Sequence, residues 1–248
     1  MIDSADLWAA IALAFLAGGL VKGVLGIGLP LVVVPAIATL TSPPQAIALL
    51  LVPALSSNVM QAYQAGLGPS ALRRFWPACA AIVIGSWLGS SVLIRADDAT
   101  ATAVVGFVVV LFCATQFLTQ LPAIGAAQER WFTPAAGTAS GFAGGLTGFF
   151  GLTLVPYLLA LRLSKEDFVA TVALLYLCGV SAMYLHLALI DTFTWPVVGM
   201  SAAASIPTLL GVWLGSLLRR RVSEAAFRRL LLAVLVVMAL NLLRKAFF

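Results

Sequence analysis

The sequence predicts an all-α, polytopic membrane protein, and three observations support this fold class. Hydrophobic residues make up 62% of the chain and charged residues only 9%, whereas about a quarter of the residues in an ordinary soluble domain are charged. The mean hydropathy is +1.09. The longest stretch between apolar segments, residues 120–131, is too short for a soluble domain. The function must therefore lie within the lipid bilayer.

Charge and cysteine content exclude several other classes. The net charge is +5, but the basic residues stand at the ends of apolar segments, where they set orientation in a membrane rather than bind nucleic acid. The cysteines number three and lie in apolar segments without metal-ligand spacing. We therefore expect no nucleic-acid partner, no metal and no cofactor.

The chain contains one internal repeat. The clearest match pairs IGSWLGS at Ile84–Ser90 with LGVWLGS at Leu210–Ser216. Further upstream, GVLGIGLPLVVVP ending at Pro35 aligns with GGLTGFFGLTLVP ending at Pro156, which pairs Gly23 with Gly144. The sequence thus predicts a first repeat over residues 1–119, a connecting loop over 120–131 and a second repeat over 132–248.

Each repeat opens with a glycine-rich stretch that must turn back on itself. Residues 7–40 would form a helix of about 51 Å, against a hydrocarbon thickness of about 30 Å. Glycine and proline inside such a run mark a broken helix that protein or water covers. We therefore expect a re-entrant or short helical hairpin in each repeat, with arms below the ~20 residues of a full span: 7–21 and 24–40, then 132–146 and 149–161.

Three ordinary transmembrane helices follow each hairpin. In the first repeat we expect them at 45–67, 75–94 and 100–118, and in the second at 168–190, 195–218 and 226–243. A hairpin of two arms and three helices is an odd number of segments, so the second repeat should be inverted relative to the first.

The basic residues support this topology. With the hairpins counted as two passes, eleven basic residues fall on one side and three on the other. The eleven are Lys22, Arg73, Arg74, Arg130, Arg162, Lys165, Arg219, Arg220, Arg221, Arg228 and Arg229, and the three are Arg95, Arg244 and Lys245. By the positive-inside rule the larger group is cytoplasmic. Both termini should then face the periplasm.

The two glycine-rich motifs ending in Val-Pro, together with the GSWLGS and GVWLGS copies, resemble the TauE/SafE family of sulfite exporter-like membrane permeases. The resemblance covers the whole chain. It implies a multi-pass inner-membrane transporter of a small sulfur-containing anion such as sulfite, sulfoacetate or a related organosulfonate. The family's usual run of three glycines reads Gly28-Leu29-Pro30 in the first copy and Phe149-Phe150-Gly151 in the second.

The polar residues agree with an anion as substrate. Every acidic residue falls at a terminus or at the end of a segment, so the membrane interior offers no carboxylate to a cation. Lys22 stands at the tip of the first hairpin. We expect an anion site between the two hairpin tips, where Lys22 and the half-helix N-termini converge; the other residues of that site are Gly23, Gly26, Gly28, Thr147, Gly148 and Gly151. Alternatively, Lys22 snorkels to the cytoplasmic surface as a topological charge.

A polar face follows each hairpin. Ser57, Asn58 and Gln61 lie on the helix after the first hairpin, and Ser181 and Tyr184 lie on the corresponding helix of the second repeat. These side chains are candidates to bind the oxygens of the substrate. The alternative is that they are hydrogen-bonding contacts between helices.

Other functions remain open at this stage. An anion channel of the same architecture differs from a carrier only in whether both gates open together. An intramembrane serine protease would use Ser140 and His186, but the glycine expected two residues before the serine is replaced by Thr138. We expect no enzymatic activity. His186 suits interfacial packing or proton coupling. The sequence leaves open the anion, the coupling ion, the direction of transport and a possible homodimer.

The topology gives a first prediction. Because eleven basic residues lie on one side, a cysteine placed after Phe248 should be labelled from the periplasm, and one in the segment 66–75 from the cytoplasm. Accessibility labelling in intact cells measures both. Cytoplasmic labelling of the C-terminus would contradict the inverted-repeat count.

Overall fold

The computed structural model describes residues 4–115, 122–190, 193–219 and 224–247, and all regular structure within them is helical. These residues form α1 (Ser4–Leu25), α2 (Leu29–Ala38), α3 (Pro43–Leu49), α4 (Leu51–Gln64), α5 (Pro69–Arg95), α6 (Asp98–Thr115), α7 (Ala126–Thr147), α8 (Gly151–Ala160), α9 (Lys165–Leu189), α10 (Trp195–Leu218) and α11 (Glu224–Phe247). Six of these helices are long and apolar enough to cross a membrane, or seven spans if α3 and α4 count as one bent span. The predicted all-α polytopic fold is confirmed. The inverted orientation of the second repeat stays a prediction.

The helices form two compact units. One unit holds α1, α2, α3, α10 and α11, with α4 up to Ser57 and most of α6. The other holds α5, α7, α8 and α9, with the rest of α4. We call α1 and α2 the first hairpin, and α7 and α8 the second hairpin. Each hairpin therefore packs with helices of the other predicted repeat.

In the unit of the first hairpin, α1 and α10 touch backbone to backbone through glycines. A Cβ atom at Gly19 or Gly23 of α1 would overlap a carbonyl oxygen of α10. A Cβ atom at Gly211 or Gly215 of α10 would likewise overlap a carbonyl oxygen of α1. Such small-residue contacts are how helices associate inside lipid, where the hydrophobic effect cannot drive them together.

The unit of the second hairpin repeats this contact. Gly85 and Gly89 of α5 lie against Gly141 and Gly145 of α7, and again a Cβ atom at any of the four would overlap backbone of the partner helix. The glycines of the GSWLGS and GVWLGS copies thus bring helices into close contact in both units. In both units the contacts advance in the same direction along the two helices, so each pair is parallel.

These contacts also define how the two hairpins correspond. Gly19 and Gly23 take the places that Gly141 and Gly145 take in the second hairpin. Gly26 (φ 83°) and Gly148 (φ 74°), which follow the long arms, are both left-handed. The equivalent of Gly23 is therefore Gly145, one residue beyond the Gly144 of the sequence alignment.

The two arms of each hairpin differ in length. The long arms α1 and α7 have 22 residues each, or about 33 Å, and the short arms α2 and α8 have ten each. Both long arms therefore exceed the predicted length: α7 begins at Ala126 instead of near residue 132, and α1 ends at Leu25 instead of near residue 21. In α1 the reason is that Gly23 does not break the helix: packed against α10, it stays helical, and the chain turns only at Gly26.

The span predicted at 45–67 is bent rather than continuous. Helices α3 and α4 meet at 48°, because Pro53 has no N–H to bond the carbonyl oxygen of Leu49. Ser201 of α10 completes the break: its hydroxyl donates to Leu49 O (2.8 Å) and accepts from Val52 N (2.9 Å). A backbone break in the membrane thus keeps its polar groups bonded.

Polar residues mark several helix ends outside the apolar segments. Ser164 caps α9 by accepting from the amide of Asp167 (3.1 Å), as N-cap serines do. Asp97 accepts from the amide of Thr100 (2.8 Å), and hydrogen bonds from Thr100 hold the pKa of the Asp97 carboxyl below its usual range. Arg74 of α5 pairs with Glu129 of α7 (2.8 Å), so the first turns of these two helices lie at the same end of their unit.

The glycine contacts give a second prediction. Gly215→Ala should lower the free energy of unfolding by about 1–3 kcal/mol, because its new methyl group would separate α10 from α1. Gly199→Ala is the matched control on the same helix, since nothing lies within 4 Å of a Cβ there and alanine favours a helix over glycine. The apparent melting temperature of the purified protein in detergent should fall for the first variant and hold or rise for the second. Equal melting of the two variants would show that the contact is not tight.

Candidate functional site

Lys22 is a buried cation at the end of the first hairpin's long arm. It lies in the last turn of α1, and only 4% of its surface is exposed. The prediction that it forms the tip of the hairpin is wrong, because α1 continues to Leu25 and the turn follows at Gly26 and Gly28. The snorkelling alternative is also wrong, since the side chain is covered by protein.

The turn itself is made of glycine. Gly26 and Gly28 have φ angles of 83° and 110°, which side chains on a β-carbon rarely tolerate. Gly28 is the N-cap of α2, and no described side chain caps that helix. Because Pro30 lacks an N–H, only Leu29 and Leu31 bring amides to the first turn of α2. Gly23, which was predicted to open a half-helix N-terminus, is instead a packing glycine inside α1.

A second cation lies at the same end of α1. The guanidinium of Arg219, just after α10, donates to the carbonyl oxygens of Gly23 (2.8 Å) and Val24 (2.9 Å). These belong to the last carbonyls of a helix, which lack partners within it, and a cation there also favours the helix dipole. The sequence identified Arg219 only as a topological charge, because its partners are about 195 residues away.

The turn of the second hairpin is built differently. After Gly148, Phe149 and Phe150 are 3% and 1% exposed, and α8 begins at Gly151. The hydroxyl of Thr147 donates to Ala143 O (2.8 Å) and accepts from the amide of Phe149 (3.2 Å). Here aromatic side chains fill the space around the break.

The ring of Phe150 fits a notch made by two glycines. A Cβ atom at Gly144 or Gly179 would overlap this ring. When Gly26 is aligned with Gly148, Gly28 and Lys22 of the first hairpin correspond to Phe150 and Gly144 of the second. In the same alignment Ser57 of α4 corresponds to Gly179 of α9. The second hairpin therefore carries its large side chain, Phe150, at the N-cap of the short arm, whereas the first hairpin carries Lys22 in the last turn of the long arm.

The polar face on α4 is buried, as a binding face or an interhelical contact requires. Ser57, Asn58 and Gln61 are 0%, 3% and 8% exposed, and the Ser57 hydroxyl donates to Ala54 O of its own helix (3.3 Å). Lys22 and Ser57 belong to the unit of the first hairpin, and Asn58 and Gln61 to the other.

The corresponding residues on α9 divide into two groups. Tyr184 is 4% exposed, whereas Ser181 lies on an exposed face of the helix. Tyr176, two turns before Tyr184, is also 4% exposed, and its ring packs against that of Phe150 (centroids 5.7 Å apart). Ser181 is therefore the one predicted residue whose position argues against a role inside the protein.

The acidic side chains that the structure describes lie at the starts of helices, and the described residues form no metal site. The described acidic side chains lie in or just before the first turns of helices: Asp6, Asp97, Asp98, Glu129, Glu166 and Asp167. Within the part of the chain that the structure describes, no group of three or more His, Cys, Asp or Glu side chains could hold a metal ion.

A comparison with known protein families covers nearly the whole chain. Residues 10–242 match the sequence model of the family described as Sulfite exporter TauE/SafE. The chain belongs to this family. No curated protein and no solved structure matches it. TauE/SafE proteins are membrane transporters, so the chain is a multi-pass membrane protein of a transporter family.

The contacts of Ser140 and His186 differ from those of the serine protease that the sequence left open. The Ser140 hydroxyl donates to the carbonyl oxygen of Phe150 in the hairpin turn. His186 pairs instead with Ser90, whose hydroxyl lies 2.7 Å from Nδ1. The imidazole is 9% exposed and stacks on Trp87 with centroids 4.4 Å apart. Sequence reasoning missed Ser90, whose only signal was its place in the GSWLGS motif.

The Ser140 contact gives a third prediction. Ser140→Ala should lower the free energy of unfolding by about 1–3 kcal/mol, because it leaves the buried carbonyl of Phe150 without this donor. Ser91→Ala is the control, since its hydroxyl only bonds Trp87 O on the exposed side of α5. Thermal melting of both variants measures the difference. A serine-reactive phosphonate that labels Ser140, with labelling lost in His186→Ala, would instead support a hydrolase.

Proposed function

We propose that this TauE/SafE protein transports a small oxyanion, most readily sulfite or an organosulfonate such as sulfoacetate, and that Lys22 is the main positive charge that the anion meets. The observation that carries this proposal is the burial of Lys22, 4% exposed, in the last turn of a span beside a broken helix. We place the protein in the bacterial inner membrane with both termini in the periplasm.

The energetics of Lys22 favour a binding role. Lys22 lies in the last turn of α1, so it costs less than the about 2.5–3.5 kcal/mol of a lysine at the centre of a membrane helix, but its side chain is buried, and intramembrane ionisable residues are usually functional. The C-terminal end of α1 offsets part of that cost through its dipole. A bound anion would offset more, because an opposite charge at close range in a low-dielectric interior interacts strongly.

The first hairpin offers other groups around that charge. The comparison with the second hairpin suggests that the volume filled there by the Phe150 ring is bordered here by Lys22, Ser57 and Gly28. A glycine N-cap leaves room for a ligand at the first turn of α2, whose amides of Leu29 and Leu31 point toward it. Lys22 would supply the charge, Ser57 and the amides the hydrogen bonds.

The remaining candidates have secondary roles in this proposal. Asn58 and Gln61 are buried amides that suit the oxygens of a sulfonate, and Tyr184 is a buried hydroxyl on α9. Thr147, Gly148 and Gly151 shape the second hairpin. Ser181 is left out because its side chain is exposed. An anion channel of the same architecture would use the same groups, and it differs in passing anions in both directions without saturation.

Replacement of Lys22 gives a fourth prediction. Lys22→Ala should lower the affinity for sulfite by roughly 10- to 100-fold. This factor corresponds to the free energy lost when a hydrogen bond to a charged group is removed. Lys22→Arg should recover only part of it, because the guanidinium is larger and planar. Asn58→Ala and Gln61→Ala should have smaller effects. Uptake of radiolabelled sulfite into proteoliposomes, with sulfoacetate, sulfate and a monocarboxylate as competitors, measures each effect.

The matched control is Arg73→Gln, which removes an exposed cation near the start of α5 and should leave uptake unchanged. A folded Lys22→Ala protein that transports sulfite at the wild-type rate would refute the role of Lys22. Saturation of the wild-type rate with sulfite concentration would favour a carrier over a channel.

A further inference from the structure

The hydroxyl of Tyr176 is buried without a hydrogen-bond partner. Tyr176 lies on α9 and is 4% exposed, and within the part of the chain that the structure describes its oxygen bonds to no group. A buried hydroxyl without a partner is costly, and native proteins rarely keep one without a reason. Phenylalanine would fill the same space without that cost.

The hydroxyl points at the N-terminus of α8. A Cβ atom built on Gly151, the first residue of α8, would lie 2.7 Å from the tyrosine oxygen. The ring of Phe149 would overlap the same Cβ atom, so glycine lets this ring and the hydroxyl both approach the start of α8. Both residues belong to the unit of the second hairpin, so the approach lies within one compact body.

The first turn of α8 brings further donors to the same place. The amides of Gly151, Leu152 and Thr153 have no acceptor one turn earlier in the helix, and no described side chain caps them. Unlike α2, this helix has no proline in its first turn, so all three amides can donate. The positive end of the helix dipole favours negative charge there.

We infer that the Tyr176 hydroxyl and the first-turn amides of α8 form an oxyanion subsite in the second hairpin. This subsite deepens the proposed transport function and rests on it. It contains only neutral donors, which suits one or two oxygens of a sulfite or sulfonate group and gives no advantage to a cation.

The aromatic residues of the turn set the size of this subsite. The ring of Phe149 lies against Gly151 on the side of the Tyr176 oxygen, so this ring must rotate away before an anion can enter the subsite. The ring of Phe150 stays in its notch between Gly144 and Gly179 and borders Tyr176. Walls of this kind exclude water and restrict the subsite to a small anion.

The test replaces the hydroxyl and leaves the ring. Tyr176→Phe should weaken equilibrium binding of ³⁵S-sulfite to the purified protein by about tenfold or more, because it removes a donor to a charged ligand. Its melting temperature should hold or rise, since the variant loses an unpaired buried hydroxyl. Gly151→Ala should weaken binding as well, because its methyl group would press against both the Tyr176 oxygen and the Phe149 ring.

The matched control is Tyr157→Phe on α8, whose hydroxyl already bonds that of Thr133 (2.5 Å). It should bind sulfite as the wild type does and melt at a lower temperature. If Tyr176→Phe binds sulfite with wild-type affinity while Lys22→Ala does not, the subsite is wrong and the proposed function stands. If the wild-type protein binds none of sulfite, sulfoacetate and sulfate, the proposed function and the subsite are both overturned.

Discussion

The structure depends on two contacts in which helix backbones touch through glycine. In lipid the hydrophobic effect does not drive helices together as it does in water, so close van der Waals packing must stabilise their association. Gly19 and Gly23 of α1 supply that contact to α10, and Gly85 and Gly89 of α5 supply it to α7. Each contact fixes the long arm of a hairpin. The position of both breaks, and of every candidate binding group beside them, follows from these two helix pairs.

Broken helices inside a membrane need partners for their backbone groups, and single side chains from distant segments provide them. Ser201 bonds both sides of the break between α3 and α4. Arg219 covers carbonyls at the end of α1, and Lys245 donates to Ala38 O (2.8 Å) at the end of α2. Ser140 does the same in the second hairpin turn. Residues that the sequence suggests are topological charges or small packing residues thus also form hydrogen bonds with the backbone groups at the helix breaks.

The two hairpins share a backbone plan but differ in chemistry. The first has a buried cation, a glycine N-cap and a proline in the first turn of its short arm. The second has a glycine in place of the cation, an aromatic N-cap, three first-turn amides and the hydroxyl of Tyr176 nearby. The first hairpin therefore carries a buried charged group, and the second carries neutral hydrogen-bond donors.

Composition and periodicity determined the membrane class, the internal repeat and most helices, because apolar length and small-residue motifs are local properties. Helix α10 even ends where the sequence predicted. The sequence also identified Lys22 as a candidate binding residue, because a lysine in an apolar, glycine-rich segment is unusual and can be recognised from the sequence alone. Only the tertiary structure decided that Gly23 stays helical, that Lys22 is covered, that Ser181 is exposed and that His186 meets Ser90. Each of these depends on which distant helix lies opposite, and a contact between residues as far apart as Ser90 and His186, 96 positions in the sequence, leaves no mark on the local pattern.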